Sequence, residues 1–409
     1  MFDSDRWAEI LHAIGNNKLR TFLSGFTVAL GIFIFVILFG LGNGLKNSFQ
    51  ENFENEATNL IFIVPGRTSK PYKGYRSNRV IKFKTDDFYE VSERFASSLV
   101  YSSPIISKRL QTKYKGKANR YAVEGITPAY QFSSKVIIRE GRFIHTMDVE
   151  NRVKAAVIGR MVKKDLFSNE AALGKYFQLR GSTFKVVGVF TDSGGDDEER
   201  KIYIPYTTRQ LLDKDNKDID RIIVAFKPEI GYKGAMALQK QIRHFLYLKH
   251  NIHPEDYSGI SFRNIADDIK KNQSFANILQ MIVSFIGIGT LIAGVIGISN
   301  IMIYTVKERT KELGIRKALG ATPNSVIILV LQESILITTI AGYTGLLFGS
   351  FCLQQIGLKL ENYFIKNPYI DFSTGLYTTL VLIFFGIVAG YLPAKRAASI
   401  RPIVALRDE

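Results

Sequence analysis

Long stretches of this chain carry no charge, and they set its plan. Between Arg20 and Lys46 lie 25 uncharged residues, from Asn272 to Val306 there are 35, from Ser334 to Leu358 there are 25, and from Phe372 to Ala394 there are 23. A hydrocarbon core of about 30 Å takes about 20 helical residues to cross, so each stretch is long enough to span a membrane. The expected division is a segment at 1–20, a first span at 21–45, an insert at 46–271, a second span with its stalk at 272–306, a loop at 307–322, a third span at 323–354, a short loop at 355–373, a fourth span at 374–394 and a tail at 395–409. The first stretch is longer than the apolar core of a signal peptide, about 7 to 15 residues, and lacks a small-residue cleavage pattern, so it is expected to remain as an anchor. The fold class that follows is a membrane protein of four transmembrane α-helices with a large α+β extracytoplasmic domain between helices 1 and 2.

Within the insert the pattern changes from uniform to periodic. Asn59–Val64, Asp220–Phe226 and Gly259–Phe262 read as strands. Thr85–Phe95 reads as a helix capped by Thr85, and Lys233–Lys249 as a helix with an apolar stripe at Ala235, Leu238, Ile242 and Phe245. These pieces lie at the two ends of the insert and predict one α+β subdomain made from both. Between them, Lys175–Arg180 and Ser182–Phe190 read as a hairpin about Gly181, and Lys201–Ile204 as a strand before Pro205. A β-rich subdomain at roughly 105–208 is expected there.

The second span promises more than a crossing. With Asn264 as its cap, a helix unbroken through Val306 has about 43 residues and, at 1.5 Å each, a length of about 64 Å. A bilayer core uses about 30 Å of it, so the rest is expected to form a stalk. Gly289, Ala293 and Gly297 recur every four positions, as Gly342, Gly345 and Gly349 nearly do in the third span. Small residues at this spacing let helices approach closely, either within one bundle or at a homodimer seam, and the spacing leaves both open.

Orientation follows from Lys and Arg in the short flanking segments. The N-terminal segment, the loop at 307–322 and the tail hold twelve between them, while the short loop between spans three and four has only Lys359 and Lys366. Both termini are therefore expected in the cytoplasm, and the insert outside it. Trp7, Ile10, Leu11 and Ile14 share one helical face ahead of Lys18 and Arg20, the pattern of a helix lying in the membrane interface.

Composition then narrows the chemistry. The 54 Lys+Arg exceed the 37 Asp+Glu to give +17, and the insert alone holds 40 and 27 of them. No base-stacking motif accompanies this charge, so it reads as a solvated basic surface beside anionic lipid or envelope polymer, with the lipid bilayer as partner and no nucleic acid. Cys352 is the only cysteine, which rules out an intrachain disulfide or a multi-cysteine centre. His250 and His253 beside Glu255 and Asp256 read as a solvated loop, and the run Asp196–Glu199 as a charged hairpin tip, so no metal site is assigned. Glu333 stands at the edge of the third span and is expected near the interface in a structural role. The segment Gly40–Ser48 imitates a phosphate-binding loop, but Leu45 separates Gly44 from Lys46. No G-x-S-x-G or H-E-x-x-H occurs, so no catalytic residue and no cofactor is assigned.

The loop Lys307–Thr322, KERTKELGIRKALGAT, combines mixed charge with apolar Leu313, Ile315, Ala318 and Leu319, which predicts a short amphipathic helix suited to a partner's groove. At these residues the sequence resembles a family. ERTKELGIRKALGAT is similar to the loop of MacB/FtsX-type ABC transporter permeases, as are NNKLRTFLS (Asn16–Ser24) and YLPAKRAASIRPIVALRDE (Tyr391–Glu409). GRFIHTMD (Gly141–Asp148), AAVIG (Ala155–Gly159), LGKYFQLRGSTFKVVGVF (Leu173–Phe190) and IYIP (Ile202–Pro205) follow in the order of the MacB periplasmic core domain. The likeness covers essentially the whole chain.

MacB proper fuses a nucleotide-binding domain to its permease, and nothing in this sequence matches one. The resemblance therefore implies a non-enzymatic half-transporter permease of the inner membrane, paired with a separate ABC ATPase subunit that binds the ATP. It also implies a homodimer, or a pair with a paralogous permease, that works by mechanotransmission. Carried over by position, Glu308, Arg309, Glu312, Leu313, Gly314, Arg316, Ala318, Leu319 and Gly320 match the coupling helix and are expected at the ATPase contact. Three jobs fit this class: efflux with a periplasmic adaptor and outer-membrane channel, lipoprotein release, and signalling that acts on the cell envelope.

Overall fold

The computed structural model describes residues 18–54, 58–134, 136–168, 170–192, 194–360, 365–370 and 372–400. The expected interfacial helix with Trp7, Ile10, Leu11 and Ile14 lies outside the described residues, as does the tail beyond Ile400. Two compact units form, one from Met1–Phe49 with Gln273–Glu409 and one from Gln50–Asn272.

The inserted unit is built on a twelve-strand inventory. Its strands are β1 (Leu60–Pro65), β2 (Phe83–Lys84), β3 (Leu99–Tyr114), β4 (Lys117–Ile126), β5 (Ile137–Gly141), β6 (Ala155–Gly159), β7 (Tyr176–Leu179), β8 (Ser182–Thr191), β9 (Lys201–Pro205), β10 (Asp218–Ile219), β11 (Arg221–Phe226) and β12 (Ile260–Asn264). Ten of them make one sheet in the order β12-β1-β11-β3-β4-β9-β6-β8-β5, with β7 beside β3 and β8. β1 pairs antiparallel with both β11 and β12, so the two ends of the insert do meet in one subdomain.

Alternation along these strands feeds two apolar layers. Ile61, Ile63, Ile222 and Val224 point to one face, where Leu238, Ile242 and Leu246 cover them. Leu60, Ile223 and Ala225 point to the other, against Tyr130, Phe143 and Ile265. The covering helices are α2 (Thr85–Arg94) and α7 (Gly231–Lys249), while the short α3 (Tyr130–Ser134) and α4 (Thr146–Glu150) lie elsewhere in the unit. Two details differ from expectation. The buried stripe of α7 runs on to Leu246 and Tyr247, while Phe245 is half-buried against the same core, because about 100° per residue turns the fully buried face past position 245. The α2 cap is Lys84, whose N–H is taken by the Asp87 carboxylate at 2.7 Å, while Thr85 Oγ1 donates to Lys217 O at 3.2 Å.

The β-rich half is not a separate sheet. β3 pairs with β11 over Leu99–Ile105 and then with β4 over Ile106–Tyr114, so one continuous strand serves both halves. Buried Glu124 on β4 accepts from Arg221 Nη2 of β11 at 3.0 Å at this junction. The hairpin about Gly181 forms as expected between β7 and β8, with Arg180 and Gly181 at φ 49° and 82°. Lys115 and Gly116, at φ 42° and 81°, turn β3 into β4 in the same way. Helices α5 (Arg160–Phe167) and α6 (Tyr206–Leu212) complete the unit.

Neither candidate ligand cluster stands free. Arg160 reaches Asp196 at 2.8 Å and Glu199 at 2.6 Å, and Lys201 pairs with Glu198. The His250 ring meets Asp87 at 3.1 Å, and His253 Nδ1 accepts the Glu255 N–H at 3.2 Å.

The other unit contains the membrane helices. Among the described residues, four helices are long and apolar enough to cross a membrane, over Gly25–Ser48, Ile265–Glu308, Pro323–Gly357 and Gly375–Ala398. They belong to α1 (Lys18–Glu54), α8 (Ile265–Glu308), α10 (Pro323–Leu360) and α11 (Phe372–Ala398), with α9 (Thr310–Ala318) between α8 and α10. Asn264 Oδ1 accepts the Ala266 N–H at 3.1 Å and so caps α8. The 44 residues of α8 run unbroken, about 66 Å at 1.5 Å per residue.

Small residues set the helix spacing in this unit. A Cβ at Gly345 of α10 would stand 2.3 Å from Ala29 O of α1, and one at Gly342 would stand 2.4 Å from Leu382 Cδ1 of α11. Ser334 Oγ of α10 donates to Gly386 O of α11 at 2.9 Å. On α8, however, the seam with α1 is Gly287, Thr290 and Gly294 rather than the expected ridge. A Cβ at Gly287 would meet Phe35 at 2.3 Å and one at Gly294 would meet Val28 at 2.9 Å, whereas nothing lies within 4 Å at Gly289. Ala293 is exposed, and Gly297 sits at the margin, 3.5 Å from Thr27 Oγ1. At about 100° per residue, Gly289 lies about 130° and Ala293 about 90° around the helix from the middle of that seam, which turns both away from the packed face.

Candidate functional site

The loop between the second and third membrane helices is shaped from the inside outward. α8 ends at Glu308, Arg309 leaves helical geometry, and α9 begins at Thr310, so the break falls between the first two residues carried over from the coupling-helix motif. Thr310 Oγ1 donates to Lys307 O at 2.7 Å and braces the break. At the far end Gly320, at φ +99°, donates to Lys317 O at 3.1 Å and Ala321 donates to Arg316 O at 3.0 Å. That pair of bonds is the Schellman closure, and it needs the left-handed conformation glycine allows.

One face of α9 is anchored. Leu313 and Gly314 are buried, with Leu313 among Val306, Val326, Val330, Ala394 and Ala397. Lys317 Nζ donates to Ala398 O at 2.8 Å and to Ile400 O at 2.7 Å, capping the end of α11. A chain of charges holds the third side. Buried Glu333 of α10 faces Arg309 Nη1 at 3.5 Å. Arg309 in turn grips Glu312 with two bonds of 2.9 and 3.1 Å, and Glu312 accepts from Arg316 at 3.1 Å. Planar guanidinium and carboxylate groups match each other in such two-point contacts.

The opposite face is exposed among the described residues. Leu319 is 84% exposed and Ile315 45% exposed, and Glu308, Lys311, Ala318 and Gly320 are exposed with them. The nine residues singled out in the sequence therefore divide three ways. Glu308, Ala318, Leu319 and Gly320 face outward, Arg309, Glu312 and Arg316 form the half-buried charged chain, and Leu313 and Gly314 seat the helix. Ile315, expected as one of the apolar positions of the loop helix but not among the nine, and Lys311, which the sequence reading passed over, join Leu319 at i, i+4 spacing. That reading also gave Lys317 no inward role, and its structural role for Glu333 came without the partner Arg309, which lies across α9 in the chain. Among the described residues no group of three or more His, Cys, Asp and Glu side chains is placed to hold a metal ion.

Known proteins share both units. Residues 21–241 match the MacB-like periplasmic core domain, and residues 284–402 match the FtsX-like permease C-terminal domain. The macrolide export ATP-binding/permease protein MacB of Bdellovibrio bacteriovorus is 29% identical over 96% of this chain and 60% of its own length. The protein of the same name from Wolinella succinogenes is 27% identical over 96% of this chain and 59% of its own. The chain thus spans about three fifths of the length of the curated relatives it matches. The crystal structure of the periplasmic region of MacB from Actinobacillus actinomycetemcomitans superimposes with a TM-score of 0.45 at 22% identity, covering 55% of this chain and 97% of that one. With the core-domain match spanning more than half of this chain's residues and the permease-domain match following it, this multi-pass membrane protein belongs to the MacB/FtsX-type family of ABC transporter permeases.

Proposed function

We propose that the chain is the permease subunit of an inner-membrane ABC transporter, with both ends in the cytoplasm and the inserted unit in the periplasm. ATP is bound and hydrolysed by a separate ATPase subunit that docks on the exposed side of α9. The reading rests on the two-faced build of α9: a nine-residue helix anchored on one side by Leu313, Lys317 and the Arg309–Glu333 pair, with Leu319 and Ile315 uncovered on the other. An apolar ridge at i, i+4 spacing is what a hydrophobic groove accepts. Lys311 and Glu308 flank the ridge with both signs of charge, which sets register more than affinity.

Force applied there would have a route along the chain. Arg309 follows directly on α8, whose single helix continues back to Ile265 in the inserted unit. Closure of two ATPases would shift two α9 helices, and each α8 would carry the shift to its inserted unit without substrate passing through the subunit's own membrane helices. A homodimer, or a pair with a paralogous permease, supplies the second half. The relatives named for macrolide export favour efflux, with a periplasmic adaptor and outer-membrane channel as further partners.

Purification of the full chain from its native membrane, followed by mass spectrometry and an ATPase assay, tests this. An ATPase subunit is expected in the eluate of the parent chain and absent from that of Leu319→Asp, which alters an exposed side chain and leaves the anchored face intact. Equal recovery with the variant would remove α9 as the dock, and no ATPase in either eluate would remove the transporter reading.

A further inference from the structure

The inserted unit has a cleft that the transport reading does not use. It lies along α7, opposite Tyr72 and the segment from Ile252 to Tyr257, with a volume of about 610 Å³. Sites for small molecules occupy roughly 300–1,000 Å³ and are mostly apolar with a few placed polar groups. Here the rings of Tyr72, Tyr247 and Tyr257 and the side chains of Met236, Leu248 and Ile252 supply the apolar wall.

The polar groups come from one helix face and are all cationic or neutral. Arg243 lies with its guanidinium carbon 4.9 Å from the Tyr257 ring centroid and 4.8 Å from that of Phe262, so stacking holds it in place. Among the described residues neither Arg243 nor Lys240 forms an ion pair. The acids of the facing loop are already engaged: Glu255 pairs with Lys70 at 2.9 Å, and Asp256 accepts the N–H groups of Ser69 and Lys70 at 2.7 and 3.0 Å. Arg243 Nε and, one turn earlier, Gln239 Oε1 are buried without a hydrogen-bond partner. A buried N–H left without a partner is costly, and an incoming acid oxygen that pairs with Arg243 Nε recovers that cost, whereas Gln239 Oε1, itself an acceptor, gains nothing from an anion.

We propose that this cleft binds a small amphiphilic anion, one acid group on a ring or hydrocarbon body, with Arg243 and Lys240 taking the acid and the tyrosines taking the body. A bare inorganic anion would leave the apolar wall wet, and a neutral body would leave the two cations unpaired. An acidic lipid and a free aromatic acid share this chemistry, and their difference is part of the test.

The full chain in nanodiscs of neutral phosphatidylcholine, with empty nanodiscs as the blank, is titrated by fluorine NMR with para-trifluoromethyl phenylbutanoate and with its amide. Saturable binding of the acid is expected, at least tenfold weaker for the amide and not displaced by inorganic phosphate. Lys240→Gln and Arg243→Gln should each weaken it about tenfold. Ala237→Trp, which fills the cleft from an exposed wall position without altering charge, should abolish it. Displacement by lysophosphatidate assigns the site to acidic lipid, and its failure to displace assigns it to free aromatic acids. Absence of saturable binding, equal binding of acid and amide, or unchanged binding in Ala237→Trp would overturn the proposal.

Discussion

Glu333→Gln keeps the shape of the side chain and removes its charge, which isolates the contact between α10 and Arg309. Glu333 and Arg309 side chains are 6% and 20% exposed. Breaking a buried ion pair costs about 3–5 kcal/mol when the surviving charge is stranded. Here Arg309 keeps both bonds to Glu312, and the lost contact is a long one at 3.5 Å, so the expected effect falls to about 1–2 kcal/mol. Because the pair seats α9, that loss should appear as about a 5- to 30-fold rise in local opening rather than as global unfolding. Hydrogen exchange of the chain in nanodiscs, comparing the α9 amides with those of α7 as an internal reference, reads it directly. Arg309→Gln should act in the same region and more strongly, since it leaves Glu333 buried and unpaired. The double variant should cost less than the sum of the two singles. Unchanged α9 exchange in Glu333→Gln, or strict additivity in the double variant, would refute the idea that this pair holds the helix.

Three further outcomes follow from other parts of the chain. Burial pushes the Asp87 carboxyl up, but bonds from His250, Lys249 and the Lys84 N–H outweigh it and bring it down to about 2. A carboxyl held below its unfolded value of about 3.9 adds stability above that pH, here on the order of 2 kcal/mol, and loses it as pH falls from about 4 towards 2. Asp87→Asn should therefore lower the melting temperature of the inserted unit at pH 7 and flatten its acid dependence in that window, and an unchanged acid limb would contradict the assignment. Gly345→Val should prevent recovery of a folded membrane unit because its Cβ meets the Ala29 carbonyl at 2.3 Å, whereas Gly42→Ala, with nothing within 4 Å, should be silent in a detergent thermal-stability assay. Leu313→Ala should destabilise the membrane unit by about 2–5 kcal/mol, read as an earlier melting transition, while Leu319→Ala should leave that transition in place.

Four membrane helices and the insert between the first and second were legible in the residue pattern, because a lipid core admits no charge and requires every backbone group to be satisfied within the helix. Strand β1, helix α7 and the hairpin about Gly181 were legible for a related reason: one wet face and one dry face leave a period in the sequence, and a turn with positive φ leaves a glycine. The β3–β4 hairpin was missed because basic residues from Lys113 to Lys117 obscure the alternation at its tip. In α8 the pattern had nothing to say about direction, since a helix apolar all round has no preferred face, and small residues occur on both sides of it. Only packing against Val28 and Phe35 selected Gly287 and Gly294 over Gly289 and Ala293. Likewise, the motif around α9 offered nine residues but could not say which anchor the helix and which face outward. That division depends on Glu333, Ala398 and Ile400, groups far away along the chain that the fold brings within 4 Å. Local periodicity reports what solvent each residue meets, whereas the identity of its neighbour is a property of distant segments and exists only once they have packed.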